Sequence, residues 1–182
     1  MKNNSMRGFT LVELMVVICI MAVVVGFTSI GKDMIARERV ASAARELYAD
    51  IQRARLDAMT QQGKGFGIRF VSHNSYVLFK FNDCNEDYTY DADGCEGNKR
   101  EETEVQTRTL PPSVQLHKTN AKTDVNNDVR IFDRFGQPRL QNWGLGMITI
   151  VVKSTPDSGL TKCVSISANR IREANWNGSA CI

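Results

Sequence analysis

Apolar and polar positions divide the chain into three regimes. A short polar stretch carrying Lys2 and Arg7 comes first, and Gly8 closes it. Residues 14–27 then carry no polar side chain beyond Cys19, with Glu13 at the mouth of that run. Polar residues resume at Thr28, Ser29, Lys32 and Asp33. Residues 9–30, read as a helix at ~1.5 Å per residue, cover about 33 Å, close to the ~30 Å hydrocarbon thickness of a bilayer. Beyond them Val40, Ala44, Leu47, Ile51, Ala54 and Ala58 recur at alternating spacings of 4 and 3. That is an apolar helical stripe. Arg37, Arg39, Arg45, Asp50, Arg53 and Asp57 are assigned mostly to the other faces. Proline is absent from 9–62, and Gly63-Lys64-Gly65 marks the stop. The pattern predicts one long helix: a membrane-spanning first part, 9–30, and an amphipathic second part, 31–62. Gly26 and Gly31 weaken it locally.

The remainder, 63–182, reads as a β-rich globular domain. Residues 66–70 and 76–81 alternate around the hairpin-like loop 71–75. Further short strands are predicted at 105–110, 114–117, 129–132, 147–153 and 163–166. Turn signals separate them: Pro111-Pro112, Phe135-Gly136-Gln137-Pro138 and Pro156-Asp157-Ser158-Gly159. A helix followed by a run of strands predicts an α+β fold, with the helix covering one face of an antiparallel sheet.

Charge and cysteine content narrow the class. The net charge is +3, with 23 basic and 20 acidic residues. Without Lys2 and Arg7 the count is 21 against 20, or +1, which argues against a strongly electrostatic nucleic-acid binder. Positive charge before the apolar run predicts a cytoplasmic N-terminus and an outward-facing domain. Residues 28–31 make a poor cleavage site for an ordinary secretory signal, whose apolar core would also be shorter. Among the five cysteines, Cys19 lies in the apolar run as a small hydrophobe. Cys84, Cys95, Cys163 and Cys181 lie in the exported part, where disulfides form. Three pairings are open; the sequential one, Cys84–Cys95 and Cys163–Cys181, closes short local loops and is the one expected.

A plain anchor does not explain Glu13, because a carboxylate at bilayer depth is expensive and normally has a partner or a job. At this point Gly8-Phe9-Thr10-Leu11-Val12-Glu13-Leu14 resembles the class III signal of type IV prepilins and type II secretion pseudopilins. The resemblance implies cleavage after Gly8 by a prepilin peptidase of the inner membrane, and N-methylation of Phe9. It also implies that Glu13, fifth in the mature chain, pairs with the N-terminal amine of a neighbouring subunit during assembly. Opposite charges taken out of water repay that cost only when paired. Residues 88–94, Glu102, 132–136 and 164–172 further resemble the FimT/GspH/FimU group of minor pilins and pseudopilins; Asn169 stands where that group often has glycine. In FimT-like members a terminal arginine pair is linked to DNA capture, which marks Arg170 and Arg172, with Lys162 nearby, as a possible DNA-binding patch. The alternating Ile171 equally fits a solvated strand edge.

Other chemistry is sparse. The loop 83–104 is acidic, and Asp91-Ala92-Asp93-Gly94 is similar to the start of a calcium loop. Cys95 occupies the fifth position, where an acceptor is needed, so no metal is expected there. His73 and His117 read as isolated, and no nucleophile elbow, P-loop or H-E-x-x-H sequence occurs. No enzyme activity and no cofactor are expected. The sequence reading is a minor pilin near the tip of a type IV pilus, with a secretion pseudopilin as first alternative and a DNA-uptake pilin as second.

Overall fold

Residues 9–61, 64–82, 103–119, 128–140, 144–155 and 159–182 are described by the computed structural model, excepting the side chains of 27–31 and 103–105. Residues 83–102 of the acidic loop, and with them the Cys84–Cys95 pairing, lie outside the described residues.

One helix, α1 (Leu11–Thr60), opens the chain. It ends two residues short of the expected 62: the Thr60 hydroxyl turns back onto the carbonyls of Leu56 and Asp57, a local bond that competes with continuing the helix. The chain divides into two compact units, Met1–Ile35 and Ala36–Ile182. In the first, the apolar side chains of residues 11–18 are all exposed, as are Ile20, Met21 and 23–25. Among the described residues no helix is long and apolar enough to cross a membrane. The described side chains stop at Gly26, inside the expected span.

In the second unit nine strands follow among the described residues: β1 (Lys64–Ser72), β2 (Ser75–Asn82), β3 (Thr103–Thr109), β4 (Val114–Lys118), β5 (Asp128–Phe132), β6 (Pro138–Arg139), β7 (Ile148–Ser154), β8 (Thr161–Ile166) and β9 (Ile171–Asn175). They form two antiparallel sheets, ordered β3-β2-β1-β5-β6 and β4-β7-β8-β9. All six residues of the apolar stripe are buried. They share one core with Ile68 and Phe70 of β1, Leu116 of β4, Ile150 and Val152 of β7, and Val164 and Ile166 of β8. The helix therefore packs on both sheets, as the α+β reading requires.

The first sheet departs from expectation in one respect. Its other face is buried as well, by Val77, Phe79 and Phe81 of β2 with Val129 and Ile131 of β5. Residues 76–81 contain only one charged side chain, Lys80, so β2 is apolar on both faces rather than alternating. Gly67 faces Phe79 across the hairpin. A Cβ there would lie 2.6 Å from the Phe79 ring and 2.7 Å from the Arg130 carbonyl oxygen. Only glycine leaves the ring that space.

The turn between β1 and β2 ties the sheets together. Leu110 N–H donates to the Asn74 carbonyl at 2.7 Å, and Leu116 N–H to the His73 carbonyl at 2.6 Å. His73 Nδ1 meets the Leu116 carbonyl at 3.2 Å. The His73 and His117 rings lie 5.2 Å apart between centroids. The two histidines that read as isolated are thus neighbours, because the turn that carries one docks on the strand that carries the other.

Candidate functional site

The N-terminal segment is built from a helix cap. Thr10 precedes the first helical residue, and its Oγ1 accepts the Glu13 N–H at 3.2 Å. The Thr10 carbonyl takes the Leu14 N–H at 3.2 Å. Thr-x-x-Glu is a capping-box sequence, so Thr10 satisfies one of the donors that a helix start leaves open. Glu13 then sits in the first turn, where the positive end of the helix dipole favours a carboxylate. Both Glu13 and Phe9 are exposed. Around them, the consecutive residues 14–18 expose every side of the helix, so no polar face exists to meet water. Such a surface demands either lipid or other apolar helices.

At the far end of the chain, Cys163 of β8 and Cys181 are joined by a disulfide with 5.9 Å between Cα atoms. The tail runs back beside β9, where Asn175 and Ile182 exchange two backbone hydrogen bonds of 2.9 Å. Antiparallel pairing places Lys162 opposite Asn175 and Ser165 opposite Arg172. Successive residues alternate faces, so Lys162 and Arg172 point to opposite sides of the sheet. Lys162 meets Glu173 at 3.8 Å, and the Arg172 guanidinium donates to the Cys181 carbonyl. Arg170 is exposed. The three cations are not brought together into one patch.

A polar network that the sequence reading missed ties α1 to the first sheet. Asp50 is 6% exposed; its Oδ2 accepts from the Tyr76 hydroxyl at 2.9 Å and from Arg108 Nε at 3.1 Å. Arg108 also pairs with Glu46 at 3.1 Å. Burial, then the neighbouring Asp50 charge, push the Tyr76 phenol well above its usual value. Asp50 was assigned to an outer face, yet it adjoins Ile51 on the buried side. Its spacing, three residues past Leu47 and four before Ala54, is the signal that could have found it.

The family described as Prokaryotic N-terminal methylation motif matches residues 3–29. Among solved structures, the minor pseudopilin EpsH from the Type 2 Secretion System of Vibrio cholerae is 12% identical, over 75% of this chain and 97% of that one, with a TM-score of 0.51. The type IV minor pilin FimU of Pseudomonas aeruginosa is 17% identical, over 78% and 96%, with a TM-score of 0.46. A second crystal form of FimU gives 0.49 over 80% and 94%. No curated protein sequence matches the chain. The chain therefore carries a prokaryotic N-terminal methylation motif, and its fold is similar to that of the minor pseudopilin EpsH.

Proposed function

We propose that the chain is a minor pilin, processed after Gly8, methylated at Phe9 and assembled through α1 into a type IV pilus at or near its tip. Its partners would be prepilin peptidase and then other major and minor pilins. Before assembly it would be held in the inner membrane with its N-terminus cytoplasmic and its domain periplasmic. The observation that carries the reading is the methylation motif over residues 3–29, running into a helix with an apolar surface on all sides. Helices of that kind leave lipid without cost only for an equally apolar environment, such as the core of a filament. Glu13 would meet the Phe9 amine of the neighbouring subunit, and head-to-tail repetition of a non-closing contact generates a filament.

Removing one partner of a desolvated ion pair costs about 3–5 kcal/mol. Glu13→Ala should therefore be processed and folded like the native chain, yet be depleted from sheared filaments. Glu13→Asp should fall between the two. Quantitative immunoblotting of sheared and membrane fractions measures this, and native levels of the alanine variant in filaments would contradict the pairing. A secretion pseudopilus would use the same assembly step. Deleting the subunit would then block export of secreted proteins and leave surface pili intact. The DNA-uptake reading gains no support from Lys162, which is held by Glu173 across the sheet from Arg172.

A further inference from the structure

The tail beyond β9 contains the one Asn-Gly step of the chain, Asn177-Gly178. It lies in a small loop whose ends are fixed. Trp176 and Cys181 pair as an isolated bridge at its base, and the Asn177 N–H donates to the Ala180 carbonyl at 3.1 Å. Behind the bridge, the Cys163–Cys181 disulfide and the hydrogen bonds between Asn175 and Ile182 hold both arms. Residues 177–180 are all exposed.

Within this loop the Asn177 side-chain carbonyl turns onto three donors. Its Oδ1 accepts the Ala180 N–H at 2.7 Å, the Ser179 N–H at 2.9 Å and the Ser179 hydroxyl at 3.1 Å. Three donors on one amide oxygen draw electrons away from Cγ and make it a better electrophile. They also stand where negative charge would develop if Cγ were attacked, as the donors of an oxyanion hole do. A nucleophile is tethered beside it: the main-chain nitrogen of Gly178, whose attack closes a five-membered ring without any cost of bringing two molecules together. A side chain on the following residue would obstruct that closure, and Gly178 has none. It lies at a φ of 98°, with nothing within 4 Å of where a Cβ would stand. The donors that shape the turn therefore also activate the amide they hold.

We propose that Asn177 is a self-modifying site, which loses its side-chain nitrogen through an imide formed with Gly178. Hydroxide takes the Gly178 amide proton. The Gly178 nitrogen then bonds to Cγ, and the carbonyl electron pair moves onto Oδ1, where the three donors hold it. Collapse of this oxyanion breaks the bond from Cγ to Nδ2, and that nitrogen takes a proton from water and leaves as ammonia. Water next opens the imide, giving aspartate at position 177 or its isoaspartate isomer. The sequence of steps consumes only water and needs no oxidant, reductant or enzyme. Either product adds one negative charge to the loop. Aspartate keeps an acceptor for the three donors, with its hydrogen bonds now charge-assisted. Isoaspartate lengthens the main chain by one carbon.

The test follows the full chain in neutral detergent at mildly alkaline pH, with peptide mapping by mass spectrometry to read replacement of NH2 by OH at each asparagine. Position 177 should convert first, and Gly178→Ala should slow it. Losing one donor in Ser179→Ala should slow conversion ~3-fold, and Ser179→Thr should restore it. In urea with reductant, where the loop is gone, Ser179→Ala and the native chain should convert at the same rate. That comparison separates the loop's contribution from the bare Asn-Gly step. The proposal is overturned if the folded chain keeps Asn177 while other asparagines convert, or if Gly178→Ala converts as fast as the native chain. It is equally overturned if Ser179→Ala has no effect in the folded chain, or slows conversion as much in urea.

Discussion

Asp50 lies beside Ile51 in the stripe that α1 turns to the core, and it is accepted there because Tyr76 and Arg108 both donate to it. Asp50→Ala leaves the Tyr76 hydroxyl buried without its acceptor. An unsatisfied buried donor costs on the order of 2 kcal/mol, which urea unfolding of the folded domain should register, with Asp50→Asn losing less. The same network makes stability sensitive to alkali. The folded state holds the Tyr76 proton above its ordinary value of 10.0, while the unfolded chain releases it there. The contribution is therefore complete below pH about 10 and declines as pH rises through that value. Tyr76→Phe should flatten that decline relative to the native chain; an unchanged slope would remove Tyr76 from the account. The spacing of Asp50, three past Leu47 and four before Ala54, puts it on the stripe; its partners were not legible, because Tyr76 and Arg108 come from strands distant in sequence.

Elements were legible where a period was sustained. The stripe from Val40 to Ala58 fixes the buried face of α1, and the strand at 76–81 appears as β2 within a residue or so of its expected ends. The edge strand β9 (Ile171–Asn175) was legible only as the strand edge that Ile171 marks between Arg170 and Arg172, and β6 (Pro138–Arg139), with two residues, shows no period. The turn between β5 and β6 is held by Asp133, whose Oδ1 accepts the N–H groups of Phe135 and Gln137 at 2.9 and 2.8 Å. Gly136, at a φ of 70°, fills the left-handed position beside Arg55 and Met59. A glycine turn was visible in the sequence, but its docking on α1 was not. The C-terminal tail depends on the Cys163–Cys181 bond. Closing a loop with a sequence separation of 18 is worth about 2–4 kcal/mol. Cys181→Ser should lower the unfolding midpoint accordingly, and reductant should then have no further effect on that end of the chain. A variant as stable as the native protein would show that the backbone bonds between Asn175 and Ile182 hold the tail alone.

For the whole molecule, the sequence conveyed class better than site. An apolar run behind Gly8, a helical stripe and then short strands admit few arrangements, and the α+β pilin-like fold is the one observed. The basic patch loses Lys162, because strand parity, invisible without a register, sends it to the face opposite Arg172. The ion pair of Lys118 with Asp128 was hidden for the converse reason: the two belong to different sheets, and only folding brings them together. The central claim is that the chain is made as a prepilin, and the mature N-terminus tests it most directly. Intact-mass and N-terminal analysis of the membrane protein should find residues 1–8 removed and one methyl group on the Phe9 amine, and Gly8→Val should remain at full length. A native chain that keeps residues 1–8, or a Gly8→Val chain that still yields methylated Phe9, would contradict the account.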